Sequence, residues 1–292
     1  MNRHSAFAVA FAATATAVLG LSASPASAIT LVDENSTAEF DLTSQAGLFD
    51  WIVDGTDHLF QEWFWYRIGD EGPEQSIDTL TLDLFGATDT NFDGDDDTLF
   101  ARYIHDLFEL TIKWSLDGGA IGSNTSDLGE QISITNTSGS NLAFNFYEYT
   151  DFDINDSAGD DEVEFKNSGE LGQFFIQRDA GSQGGVFEIA LDLPPAIQEA
   201  AFFDDTISKL NDGDADDLNG FGGPLGPGDL TAAWQWKFDI GRGETVQISK
   251  DKQITSTPVP EPGAIGGLLA IGTFGIGVML KRHRQEKNKI DL

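Results

Sequence analysis

Phe108-Glu109-Leu110-Thr111-Ile112-Lys113-Trp114-Ser115-Leu116 puts five apolar side chains at alternate positions with four polar ones between them. A period of two residues is that of a strand with one face on a core; a helix would scatter these five around its axis. The pattern recurs on both sides. Ala232, Trp234, Trp236, Phe238 and Ile240 alternate with Gln235, Lys237 and Asp239. Leu142, Phe144 and Phe146 alternate with Asn141, Asn145 and Tyr147, and Leu80, Leu82 and Leu84 with Thr79, Thr81 and Asp83. Shorter strands are predicted near 130–136, 163–166, 173–178, 186–192 and 245–250, separated by turn signals such as Asp117-Gly118-Gly119 and Ser138-Gly139-Ser140. The run Trp63-Phe64-Trp65-Tyr66 is apolar on both faces and reads as a strand buried on both sides, in preference to a sugar-stacking platform. One helix is expected from Pro194-Pro195 onward, with Ile197, Ala200, Ala201, Ile207 and Leu210 at helical spacing. The fold these signals predict is all-β: a two-sheet sandwich of jelly-roll or Ig-like type with one connecting helix.

Composition narrows the function. The 292 residues include 49 acidic against 16 basic side chains, a formal net charge of -33. Phosphate neutralisation needs clustered Lys and Arg, so nucleic acid is not an expected partner. Cysteine is absent, which removes disulfides, thiolate metal sites and a Cys nucleophile. With 22 Phe, 6 Trp and 4 Tyr the chain is too aromatic to be a disordered acidic tail.

The two ends read differently from the middle. Residues 1–28 have the form of a secretory signal peptide: Arg3 and His4, an uncharged Ala-rich stretch, then Ala26-Ser27-Ala28 as the cleavage pattern. At the other end Val259-Pro260-Glu261-Pro262-Gly263 precedes an uncharged run over 264–280, then a basic tail over 281–292 with Lys281, Arg282 and Arg284. Seventeen helical residues cover roughly 25 Å, the short end of a membrane span. The basic tail predicts a cytoplasmic C-terminus, with the body of the chain across the membrane. That body is a β-sandwich ectodomain over 29–252, joined to the span by a linker over 253–263. Residues 29–257 hold 46 acidic and 10 basic side chains, net -36.

This tripartite end resembles the sorting signal of PEP-CTERM bacterial surface proteins, carried by Pro260-Glu261-Pro262, the span and the arginine-bearing tail. Tyr149-Thr150-Asp151-Phe152-Asp153, Gly228-Asp229-Leu230 and Ile248-Ser249-Lys250-Asp251-Lys252 are similar to recurring blocks of one group of such proteins. The resemblance implies an exosortase-like membrane enzyme as processing partner, removal of the tail, and a destination at the cell surface or in the extracellular polysaccharide matrix.

Three Asp/Asn clusters are the candidate metal sites. Asp89, Asn91, Asp93, Asp95 and Asp97 set oxygens at alternate positions around Gly94, as in the first half of a calcium loop. Asp151, Asp153 and Asn155 are followed by Glu162 at the twelfth position, and Asp212, Asp214 and Asp216 alternate in a third loop. Crowded carboxylates repel, and calcium accepts six to eight oxygens, so calcium is the candidate cofactor; the competing reading is a solvated acidic turn. Catalytic signals are thin. His58 and His105 are the two histidines of 29–257, and neither a G-x-S-x-G elbow nor an H-E-x-x-H helix occurs.

The sequence therefore predicts a non-catalytic exported protein, structural or binding polysaccharide through calcium-ordered loops. A polysaccharide hydrolase or lyase using paired carboxylates is the alternative. If the C-terminal motif is a sorting signal, alanines at Pro260, Glu261 and Pro262 should leave an unprocessed inner-membrane form. Normal mass at the cell surface would show the motif to be a linker.

Overall fold

The computed structural model describes residues 28–169, 172–180 and 184–256. The sorting motif at 259–263, the span, the tail and all of the signal segment before Ala28 lie outside the described residues. Among those described, no helix is long and apolar enough to cross a membrane.

Eighteen strands and one α-helix follow in order. They begin with β1 (Ile29–Asp33), β2 (Ser36–Asp41), β3 (Gly47–Val53), β4 (Thr56–Asp57), β5 (Gln61–Ile68) and β6 (Gln75–Ser76). Next come β7 (Thr81–Thr88), β8 (Thr98–Ile104), β9 (Phe108–Gly118), β10 (Thr125–Asn136), β11 (Leu142–Asp151) and β12 (Asp161–Ser168). Then β13 (Gly172–Asp179), β14 (Gly185–Ala190) and β15 (Ile197–Phe202) lead to α1 (Asp205–Leu210). The last three are β16 (Leu225–Gly228), β17 (Leu230–Ile240) and β18 (Thr245–Thr255).

The first sheet runs β1-β2-β3-β5-β11-β17-β15, with β4 on β3 and β6 on β5; the second runs β16-β12-β13-β14-β18-β10-β9-β8-β7. Nine strands in each make these sheets larger than the roughly eight strands in total of a jelly roll or Ig domain. Pairing is antiparallel except between β3 and β5. There Gly47, at φ 60°, lies so close to β5 that a Cβ would fall 2.2 Å from the Glu62 carbonyl oxygen.

The alternating segments are strands as predicted, with three corrections. The expected helix over 194–210 splits. Ile197–Phe202 pairs with β17, Ala200 opposite Ala232, and the helix keeps only its last six residues. Ladder bonds to an aromatic strand outweigh the weak helical preference of two alanines. In β7 the register shifts between Leu82 and Leu84, and the expected inward Leu84 is half exposed. A bulge displaces every later side chain by one position. Finally, the predicted linker starts too early, since β18 continues to Thr255.

All six tryptophans are buried, and Trp63 to Tyr66 are covered on both sides. Phe64 stacks on Phe146 at 5.6 Å, and Phe40 meets Trp114 at 5.3 Å across the sheets. At about 25 cal/mol per Å² and 150–250 Å² per ring, each such aromatic contributes several kcal/mol.

A charged cluster interrupts this apolar interior. Lys250 and Lys252 of β18 occupy alternate inward positions and are buried with Glu130 of β10, Glu188 of β14, Glu62 of β5 and Glu148 of β11. The Lys250 Nζ lies 2.5 Å from Glu130 and 3.4 Å from Glu188, and it contacts Glu148. The Lys252 Nζ lies 2.6 Å from both Glu62 and Glu130. Burial would raise Glu130, but the two ammonium groups hold its carboxyl well below the usual range. Burial and the Glu130 charge instead push Glu62 well up; burial and the Glu148 charge push Glu188 up to about 8. Protons on Glu62 and Glu188 bring four carboxyls and two ammonium groups towards neutrality.

Removing one ammonium from such a cluster leaves buried carboxylates uncompensated. Lys252→Met should lower the unfolding free energy in urea by about 3–5 kcal/mol, whereas Lys166→Met, on an exposed pair, should change it by less than about 1. Folded Glu188 holds its proton more tightly than the unfolded chain, so its contribution is full below pH 4.5 and is lost as pH rises through about 8. Glu188→Gln should flatten the decline of stability with pH across that window.

Candidate functional site

Antiparallel partners point to the same side of a sheet. Beside the inward residues of the first sheet there is therefore an outer row: Trp65 and Arg67 of β5, Tyr147 and Tyr149 of β11, Gln235 of β17 and Glu199 of β15. These are polar or amphipathic groups, yet all are buried. Segment 203–224, which carries α1, covers them. The Arg67 guanidinium donates to the Asp216 carbonyl at 2.7 Å and to Asp217 at 2.9 Å, and it pairs with Glu74. The Tyr147 hydroxyl donates to the Asp216 carbonyl, and Gln235 bonds both Asp217 and the Leu218 N–H. Against the effect of burial, bonds from Lys237, Gln235 and Arg67 hold Asp217 down at about 2.

At one end of this cover a cavity of about 430 Å³ opens between β15, α1 and the following loop. Phe202 and Phe221 line it with exposed rings, and Glu199, Asp205, Lys209 and Asn219 supply its polar wall. Glu199 is held rigidly: the Lys209 Nζ sits 2.8 and 2.7 Å from its two oxygens, the Thr206 hydroxyl donates at 2.8 Å, and the Asn219 N–H donates at 2.6 Å. Asp205 stands exposed at the first turn of α1. Aromatic groups beside a fixed carboxylate and an exposed one suit a polyhydroxylated ring, whose C–H face packs on phenyl groups while its hydroxyls bond carboxylates.

Beside the cavity lies an acidic corner. Asp151 ends β11, Asp153 follows it, and Asp229 precedes β17; one carboxylate oxygen from each lies within 4.8 Å of the others. The Phe60 N–H donates to the Asp151 carbonyl and the Phe203 N–H to the Asp229 carbonyl, and the two exposed rings meet edge-on at 6.4 Å. Burial, then the charges of Asp153 and Asp229, push Asp151 up to about 8. Burial and Asp229 push Asp153 up to about 6, and burial raises Asp161 behind them to about 7.

Of the sequence-predicted ligands, the structure brings together Asp151 and Asp153 and adds Asp229, which no local spacing connects to them. Asn155 turns away, its amide donating to Asp179 at 3.0 Å, and Glu162 is exposed on the opposite side of β12 from buried Asp161. In the first loop the carboxylates cap their own turn. Asp89 accepts the Phe92 and Gly94 N–H groups, Asp93 that of Asp95, and Asp97 those of Thr90 and Asn91. Asn91 donates to Asp33. In the third loop Asp212 accepts the Asp214 N–H, while Asp216 serves through its backbone. These bonds are the Asx-type contacts by which short acidic side chains close a turn. His58 is buried and pushed down to about 4, and its Nδ1 accepts the Asn155 N–H. His105 stacks on Phe108.

A scan of protein-family models finds none that matches, and no curated relative is found. Solved structures do match in shape. A bacterial glucoamylase complexed with acarbose superposes at TM-score 0.55 and 8% identity over 82% of this chain, which spans 32% of the glucoamylase. Slr1438 protein from Synechocystis sp. PCC 6803 superposes at TM-score 0.53 and 10% identity, over 83% of this chain and all of the other. A galactose mutarotase-like protein from Lactobacillus casei ATCC 334 gives TM-score 0.43 at 10% identity, over 78% of this chain and all of that one. At these identities the glucoamylase and Slr1438 share the fold with this chain and nothing more is shown. The expectation of a non-catalytic matrix protein is corrected on this point: the fold recurs in about a third of a bacterial glucoamylase and across the whole of Slr1438, and this chain carries a carboxylate-lined cavity on it.

Arg67 is the pin of the cover. Arg67→Met should speed amide exchange across 211–220 by at least about tenfold while leaving β9 and β10 protected, because the freed segment opens without global unfolding.

Proposed function

We propose that the protein is a carbohydrate-active enzyme whose substrate ring seats in the cavity between Phe202 and Phe221, with Asp205 and Glu199 as its working carboxylates. The observation that carries this reading is the cavity itself, a fixed buried carboxylate and an exposed one in a wall shared with two exposed phenyl rings. The shared architecture with a glucoamylase complexed with acarbose supports it. In this role Asp205, exposed at the cavity, acts as general acid or base at the glycosidic oxygen. Glu199, anchored by Lys209, Thr206 and Asn219, stabilises the positive charge that develops on the ring. The finer fold assignment that fits this function is a large two-sheet sandwich of the kind shared with that enzyme, in place of a jelly roll or an Ig domain. The signal-like and sorting-like ends support action after export, on glycans outside the inner membrane.

The test is turnover of a glycan panel, read as reducing ends for a hydrolase and as unsaturated product for a lyase. Asp205→Asn should lower kcat by about 10²–10⁴. Phe221→Ala should raise KM about fivefold, the loss of one aromatic contact near 1 kcal/mol, with kcat largely kept. Equal turnover by the wild type and Asp205→Asn would remove the cavity from the reaction.

A further inference from the structure

We propose that Asp151, Asp153 and Asp229 form a binding site for a hard divalent cation of the calcium class, with Asp161 as its inner wall. The site is separate from the carboxylates of the cavity, and the inference does not depend on the enzymatic reading.

Three features carry it beyond a crowd of acids. The trio is drawn from two different strand ends and a loop, yet converges until one oxygen of each lies within 4.8 Å of the rest. That is the spacing of oxygens around one ion, since ligands at 2.3–2.6 Å from a calcium lie at most about 5 Å apart. Two of the oxygens are stranded. Asp151 and Asp161 are 1% and 0% exposed, and the Oδ1 of each is buried without a hydrogen-bond partner. Their other oxygens are occupied, Asp151 Oδ2 by the Tyr149 hydroxyl and Asp161 Oδ2 by Gln177. Asp161 stands beside the same corner: it pairs with Gly228, next to Asp229, and the Gln177 amide that donates to its Oδ2 also donates to the Phe152 carbonyl. A buried carboxylate oxygen without a hydrogen-bond partner is costly, and a bound cation relieves that cost. Among the described residues no Lys or Arg forms an ion pair with any of the four.

The remaining coordination falls to water, since Asp153 and Asp229 are half-buried and open to solvent. Irregular oxygen geometry with several open positions favours calcium over magnesium, which demands a near-ideal octahedron. The bound ion would also fix the Phe60 and Phe203 rings, whose N–H groups hang on the Asp151 and Asp229 carbonyls.

Terbium(III), a luminescent stand-in for calcium, is the probe. Tyr149 touches Asp151 and meets Trp65 edge-on at 6.3 Å, so aromatic excitation of the purified full chain should sensitise terbium emission. Calcium should quench that emission by competition at lower concentration than magnesium. Asp229→Asn and Asp153→Asn should each weaken terbium binding at least about tenfold, whereas the paired change Asp93→Asn with Asp95→Asn should leave it within about twofold. Melting in chelator keeps the result readable: with repulsion relieved, Asp229→Asn should melt no lower than the wild type there, and lower than it in calcium. Undiminished terbium binding in a folded Asp229→Asn protein, or emission lost only in the Asp93/Asp95 variant, would overturn the proposal.

Discussion

Four glutamates and two lysines sealed between the sheets fix how those sheets sit on one another. Lys250 and Lys252 come from one strand of the second sheet, and their carboxylate partners come from both sheets. Aromatic packing tolerates a shift of a few tenths of an ångström, but an ammonium group away from its carboxylates leaves bare charge in an interior of low polarity. The Phe64 ring lies 5.5 Å from the Lys250 Nζ and the Trp234 indole donates to Glu188, so the cluster and its apolar surroundings are joined. Sheet register, and with it the placement of the outer face, follows from this arrangement.

That outer face explains why the first sheet has two buried sides. In an antiparallel sheet with one solvated face, Tyr147, Gln235 and Glu199 would meet water. Here segment 203–224 lies across them and satisfies their polar atoms one by one. The cover is held by these polar contacts together with Leu210 and Leu218, which are buried in the core. Over Glu199 the segment leaves a gap between α1 and the loop that follows it, and the cavity opens there.

The sequence made most of the strands legible, because Phe108 to Leu116 and Ala232 to Ile240 alternate without interruption. It hid the ion cluster for the same reason: Lys250, Lys252 and Glu130 occupy inward positions but read as outward ones. Strand β15 has the spacing of a helix, since Ala200, Ala201 and Ile207 fit a helical stripe, and the partner that makes it a strand, Trp234 and its neighbours on β17, lies thirty-odd positions away in the chain. Asp151 and Asp153 could be singled out by spacing. Asp229 could not, since only the pairing of β11 with β17 brings it near them. Contacts made across a sheet leave no periodic trace in the chain.

Among the described residues, strand β7 closes the second sheet with an edge that has no neighbour beyond it, and the bulge after Leu82 leaves Leu84 and Phe85 about half exposed along it. Such an edge is a template on which a second copy could add a strand. What holds copies apart is the field around it: Asp83 on the strand, the aspartates of the 89–97 loop at its end, and a chain far on the acid side. Colloidal stability thus rests on ionised carboxylates at one margin of the molecule. As the medium approaches the isoelectric point near 4.1, that repulsion fades while the hydrogen-bonding edge stays unchanged, so acid makes strand-to-strand association the favoured way for this protein to leave solution.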